Sequence, residues 1–218
     1  MRRLISRFHR LVLVLAVVGL GGIQAQDSKL TPLPDPQITG GKPLMEALKE
    51  RVTRREFGPE RLSAQVLSNL LWAAFGINRP DGRRTAPSAS NMQEIELYAV
   101  MADGVFLYDA KAHALQLSVK EDLRAATGNQ PWIATAPLNL VYVADYAKMG
   151  KRTDETKRVD SGTDTGFIAQ NVYLFCASEG LATVVRGGLD RPAMEKALKL
   201  RPDQHVVLAQ TVGHPVKK

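Results

Sequence analysis

The stretch Pro87-Ser88-Ala89-Ser90-Asn91-Met92-Gln93 decides how the rest of the chain is read. It stands between a segment of strong helical periodicity and one rich in strand formers, so the chain turns there from helix to sheet. Proline opens it, and its small hydroxyl and amide side chains offer donors and acceptors with little bulk. Such a segment cannot bury itself as core. Alone it is a polar turn; beside a second polar surface it could meet the edge of a flat heterocycle.

Upstream, Ser63 supplies an N-cap, and Val66, Leu67, Leu70, Leu71, Ala74 and Phe75 mark one apolar helical face ending at Gly76. Earlier, Leu44, Leu48 and Val52 recur at i, i+4 and i+8, which predicts a helix running into Arg51–Phe57 and stopping at Gly58-Pro59. Residues 26–43 hold Pro32, Pro34, Pro36 and Pro43 with Gly40-Gly41 and form an extended linker arm.

Downstream, Ile95–Met101, Val105–Tyr108 and Ala114–Val119 predict a meander whose first turn is Asp103-Gly104. Lys120–Ala126 reads as a short helix and Pro137–Asp145 as a central strand. Lys148–Asp160 is charged and reads as a mobile connection. A helix over Asp164–Glu179, a strand over Leu181–Val185, a helix over Pro192–Leu200 and a strand over Val206–Val212 complete the series. Helices alternate with strands, but a hairpin interrupts them. The expected fold is an α+β sandwich, a mixed β-sheet with helices on both faces.

The chain has 218 residues, and its first 25 are expected to lie outside the fold. Arg2, Arg3, Arg7 and Arg10 precede an apolar run, Leu11–Leu20, too short to span a membrane, and Ala25 ends a small-residue stretch. This pattern predicts a secretory signal peptide in preference to an uncleaved anchor, with the mature protein expected to start at Gln26, to be exported to the periplasm or secreted, and to keep no stable membrane anchor. The whole chain carries +7; the leader holds four arginines and no acid, which leaves +3. That modest charge argues against a nucleic-acid partner. Cys176, the sole cysteine, lies within an apolar run and is expected to be a buried structural thiol.

Four places could carry chemistry. Arg51, Thr53 and Arg55 alternate ahead of Phe57, and if the backbone is extended two guanidiniums and a hydroxyl converge, as a phosphate monoester requires. The alternative is a basic helix end complementing the dipole. Ser88, Asn91 and Gln93 form the second place. Gly187-Gly188 after a strand would let backbone amides approach a ligand, or simply make a tight turn. Lys217-Lys218 is a cationic end that could add a phosphate contact or fray. His9, His113, His205 and His214 lack ligand spacing, so no metal site is expected, and His113 and His205 read as strand-surface residues. No dinucleotide, phosphate-loop or serine-hydrolase motif is present.

Taken in order, Arg51–Phe57, Pro87–Gln93, Gln170-Asn171, Gly180–Thr183, Gly187–Asp190 and Val212–Pro215 resemble the motifs of the nitroreductase family of FMN flavoenzymes, over roughly Leu44–Pro215. Leu71–Arg79 looks most like the thiazoline-oxidase-type dehydrogenase branch. The resemblance implies a fold over 44–218, an obligate homodimer, FMN as cofactor, and ping-pong two-electron transfer through flavin N5 to or from a small substrate. It implies that Arg51, Val52, Thr53, Arg55 and Lys217 hold the phosphate and ribityl end. Ser88, Asn91 and Gln93 contact ribityl or ring, often from the partner subunit, and Asn129 or Gln130 reaches the pyrimidine edge. Gly187 and Gly188 face the N5 and O4 region. Many relatives keep an acidic residue at Gly187 and a longer basic tail. No acid/base residue stands out; Tyr98, Tyr142, Tyr146 and Lys148 are unranked candidates. A non-catalytic flavin-binding protein on the same scaffold is the alternative.

Overall fold

A computed structural model describes residues 30–216. The expected leader, residues 26–29 and the tail lysines Lys217 and Lys218 lie outside the described residues. The elements are β1 (Leu30–Pro32), α1 (Leu44–Glu50), α2 (Ala64–Phe75), β2 (Ile95–Met101), β3 (Gly104–Asp109), β4 (Ala114–Val119), β5 (Leu138–Asp145), α3 (Asp154–Glu179), β6 (Ala182–Arg186), α4 (Arg191–Ala197) and β7 (Gln204–Gly213). Short 3-10 turns occupy Ala89–Asn91, Arg124–Thr127, Pro131–Ala134 and Tyr146–Met149.

One seven-stranded sheet, in the order β1-β4-β3-β2-β5-β7-β6, divides two cores. On one side Leu70, Leu71, Ala74 and Phe75 of α2, with Ile168, Val172 and Cys176 of α3, pack on Leu97, Leu140 and Tyr142. On the other, Met194 of α4 packs with Leu198 on Val100, Val141 and Val143. All eight residues of β5 are buried, because helices cover both of its faces. The α+β sandwich with helices on both faces is therefore as expected.

The expected mixed sheet differs in one particular: all six pairings are antiparallel. β5 and β6 do run in the same direction, joined through α3, but β7 lies between them and opposes both. The chain thus makes a crossover without a parallel neighbour.

Four boundaries depart from the sequence reading. α1 ends at Glu50, and Arg51 turns extended at φ −56° and ψ 118°. The N–H of Arg54 then donates to the Thr183 carbonyl at 3.0 Å, so this stretch is held as an extended segment beside β6. The predicted helix over Lys120–Ala126 shrinks to the 3-10 turn at Arg124–Thr127. Asp154–Asp160, expected to be mobile, forms the first two turns of α3: Thr153 caps Thr156 N–H, and Asp154 and Glu155 complement the dipole. Finally, the proline-rich arm gives a short strand, β1, on β4, and its Leu33 N–H donates to the His113 carbonyl. Among the described residues no helix is long and apolar enough to cross a membrane.

Candidate functional site

The extended Arg51–Phe57 stretch lies against the second half of α3. The Arg51 guanidinium sits 5.2 Å from the Tyr173 ring centroid. Tyr173 also bonds the Thr53 hydroxyl at 3.1 Å, and its Oη accepts the Val185 N–H at 3.0 Å. Tyr173 therefore fixes the backbone that carries the two arginines against the end of β6. Val52 and Arg54 border a depression of about 440 Å³ with Pro215 and Val216. Arg55 borders a smaller one, of about 200 Å³, with Arg54 and the same C-terminal pair. Arg54 was not singled out from the sequence; its intervening position, facing away in an ideal strand, gave no signal.

Arg186 joins this stretch to the other predicted residues. It is 6% exposed, and burial pushes its guanidinium down to about 10, still cationic at neutral pH. It donates to the Thr127 carbonyl, to Asn139 Oδ1 at 3.0 Å and to Thr211 Oγ1 at 3.2 Å. It also lies 5.7 Å from the Trp132 ring centroid, and Trp132 in turn packs on Phe57 at 5.1 Å. One buried cation thus brackets Gly187-Gly188, the loop with exposed Gln130, and the end of the arginine stretch. Nothing in the local sequence marked Arg186 as buried.

The two glycines are open. A methyl group at Gly188 would meet no heavy atom within 4 Å, and one at Gly187 only Leu208 Cδ2 at 3.8 Å. Neither residue has a positive φ. Neither packing nor backbone conformation requires glycine at these exposed positions, and their backbone is accessible from outside the chain. Leu208 also lines a groove of about 1010 Å³ running between the first turns of α3 and Arg191, Glu195 and His205.

Ser88, Asn91 and Gln93 lie elsewhere. Ser88 Oγ accepts the Gln93 N–H at 3.0 Å, and Gln93 bonds Asn91 Oδ1, Arg84 Nε and the Gly82 carbonyl. The loop is docked on the first half of α3, where the Ala89 N–H donates to Asp164 Oδ2 at 2.8 Å, and Arg152, just ahead of that helix, donates to Ser90 Oγ at 2.9 Å. Thus Phe57, at the end of the stretch bearing Arg51, Val52, Thr53 and Arg55, is linked through Trp132 and Arg186 to the segments carrying Gln130 and Gly187-Gly188, whereas Ser88, Asn91 and Gln93 belong to a separate loop held by Arg84 and Asp164. Lys217 lies outside the described residues.

The unranked acid/base candidates separate. Tyr98 and Tyr142 are buried with their phenols pushed up by desolvation, and Tyr142 donates to Gln210 Oε1 at 2.6 Å as part of the sheet interior. Lys148 pairs with Glu96 at 2.9 Å, and Tyr146 stacks on His205 with centroids 4.5 Å apart. Cys176 is buried and its thiol pushed up by desolvation, which leaves it inert. His113 lies half-buried in the turn before β4 rather than on a strand, and it joins Ser68, Tyr108 and the Pro34 carbonyl.

The fold is an α+β sandwich in which an extended, arginine-bearing stretch is tied through Trp132 and Arg186 to the strand end that carries an exposed pair of glycines. Comparison with known proteins names the class. The nitroreductase family model matches residues 48–214, and the chain belongs to that family of oxidoreductases. A candidate nitroreductase of Methanocaldococcus jannaschii is 29% identical over 184 residues, covering 80% of this chain and 92% of its own. The crystal structure of a candidate nitroreductase from Ralstonia eutropha JMP134 is 39% identical with a TM-score of 0.83, covering 88% of this chain and 92% of that one. The Vibrio harveyi NADPH:FMN oxidoreductase complexed with NAD+ shares the fold at 22% identity and a TM-score of 0.60, over 80% of this chain and 69% of its own.

Proposed function

We propose that the chain is an exported, homodimeric, FMN-dependent oxidoreductase acting on a small electron-poor compound or an oxidisable heterocycle. The observation that carries this reading is the exposed glycine pair, with room for a methyl group at both positions, tied by Arg186 and Trp132 to the arginine-bearing strand. The donor set fits FMN: Arg51 and Arg55 suit its phosphate, and Gln130 with the Gly187 and Gly188 amides suits a polar ring edge. Bound there, FMN would supply two-electron transfer between a donor and an acceptor taken in turn.

The chain's own contribution is to hold and orient. Tyr173 fixes the arginine strand through Thr53 and Val185, and Arg186 fixes the glycines against the Gln130 loop. The Ser88–Gln93 loop, remote from these within one chain, would come from the second subunit. Export rests on residues 1–25; outside the cytoplasm the donor would be a partner protein or a quinone-linked reductant, or oxygen would serve as acceptor.

An absorbance spectrum of mature protein, taken after addition of excess FMN and removal of the free ligand, tests the reading. Stoichiometric yellow flavin is expected, and Arg51→Ala with Arg55→Ala should abolish it while the far-ultraviolet circular dichroism stays unchanged. Unchanged flavin content in that double variant removes the phosphate assignment. Flavin that is bound but never turned over assigns the non-catalytic alternative. N-terminal sequencing of the protein from cell fractions should give Gln26, and an intact Met1 overturns export.

A further inference from the structure

Glu94 closes the Ser88–Gln93 loop and enters β2, yet it is wholly enclosed, at 0% exposure, and neither carboxyl oxygen has a hydrogen-bond partner. An ionised carboxylate in that position would be desolvated without compensation. Its neighbours make matters worse. Asp164 of α3, itself buried, and Asp160 one turn earlier both raise its affinity for a proton. Asp164 is already committed to the loop, accepting the Ala89 N–H at 2.8 Å.

The nearby cations are engaged elsewhere. Arg152 pairs with Asp160 at 3.4 Å and donates to Ser90, while Arg84 donates to Gln93 and to the Phe75 carbonyl. From β5, the Asp145 N–H donates to the Glu94 carbonyl, but the Asp145 carboxylate pairs with Lys148 and Arg201. No second subunit can reach Glu94 without displacing the loop, because one chain already encloses it.

Two acceptor-only carboxylates in dry contact are reconciled by one proton between them. We propose that Glu94 is held protonated, donates to Asp164, and so positions the Ser88–Gln93 loop, which loss of that proton releases. Burial first, then the charge of Asp164, pushes the Glu94 carboxyl up to about 7, so the proton leaves within the neutral range. The loop suits such control. Ser90, Asn91 and Gln93 all have positive φ, at 51°, 55° and 49°, and this strained backbone persists only while its anchors hold it. Glu94 is thus a positioning residue acting through Asp164. The consequence for cofactor binding rests on the reading of this loop as a flavin contact; the proton itself does not.

The test uses the mature chain without flavin, as wild type and as Glu94→Gln, whose amide can donate to Asp164 but cannot ionise. Because the folded-state value lies above the ordinary 4.5, the stabilisation is whole below 4.5 and lost as pH rises through about 7. The wild-type melting temperature should therefore fall relative to Glu94→Gln between pH 5.5 and 8. Protection of the Ala89 amide against hydrogen exchange, corrected for intrinsic rate, should drop at least tenfold in the wild type alone. Parallel melting curves and equal Ala89 protection overturn the proposal.

Should Glu94→Gln fail to fold, Asp164→Asn removes the neighbouring charge and must move the wild-type transition to lower pH; an unmoved transition overturns the proposal. An FMN fluorescence titration over the same range separates the two readings. Affinity that follows the Ala89 transition supports the loop as a flavin contact. Affinity indifferent to it retires that contact while the proton's role stands.

Discussion

At the scale of single residues, two glycines that look alike in the sequence do opposite work. A methyl group at Gly128 would overlap the Arg186 guanidinium and meet Ile133 Cδ1 at 2.7 Å, so glycine there lets the bracket close. Gly188 faces open space. Gly128→Ala should therefore destabilise the fold by about 1–3 kcal/mol, as overpacking of a fitted interior does. Gly188→Ala should leave stability within about 0.5 kcal/mol of wild type, as surface changes do, yet weaken FMN binding at least tenfold. Thermal melts paired with flavin titrations check both. Normal FMN affinity in Gly188→Ala would show that the open space is not ligand space.

At the scale of elements, His113 clamps the N-terminal arm to the domain. Its Nε2 lies 2.7 Å from Ser68 Oγ of α2 and 3.1 Å from the Pro34 carbonyl, and its Nδ1 lies 3.0 Å from Tyr108 Oη. A neutral ring with the proton on Nε2 satisfies this set, donating to Pro34 and accepting from Tyr108. Burial lowers its affinity for a second proton from the ordinary 6.5. The clamp's contribution is therefore present above 6.5 and lost as pH falls through the lower folded-state value. Exchange of the Leu33 amide, which donates to the His113 carbonyl, should accelerate in acid relative to amides of β5, and His113→Gln should flatten that response. A Leu33 amide that follows β5 at every pH would remove the clamp. What was legible in the sequence divides along the same lines. α2 and the β2–β4 meander announced themselves because half-buried elements repeat at 3.6 or 2 residues. The first two turns of α3 did not, being polar on most sides and fixed by the Thr153 cap and the Arg152–Asp160 pair. The motif residues at the site were readable through a resemblance resting on glycines, arginines and amides. Arg186, Tyr173 and Glu94 were not, because their surroundings are supplied by segments distant in sequence: Asn139 and Thr127 for Arg186, Asp164 for Glu94, and the folding back of Arg51–Phe57 for Tyr173.

At the scale of the whole molecule, the two groups of residues proposed to meet the cofactor are anchored at different points along α3. Tyr173, which anchors the arginine strand, follows Asp164, which anchors the Ser88–Gln93 loop, by nine residues on α3, or about 14 Å of helix at ~1.5 Å per residue. Beside the first group, α1 turns Leu44, Met45 and Leu48 outward at 62%, 75% and 43% exposure, followed by Val52 at 47%. A seven-residue helix has little stability of its own, and an apolar face left open on it is unusual for a monomer. A second copy covering that face would remove this surface from water and bring the loop of one subunit towards the glycines of the other. Met45→Asp combined with Leu48→Asp should then convert a dimer to a monomer in light scattering and lose flavin with it, while the circular dichroism is retained. Neither side chain contributes to the interior, so the fold should survive. A double variant that stays dimeric and yellow would place the subunit contact elsewhere. A wild-type monomer binding one FMN would show that the two groups meet within a single chain after all.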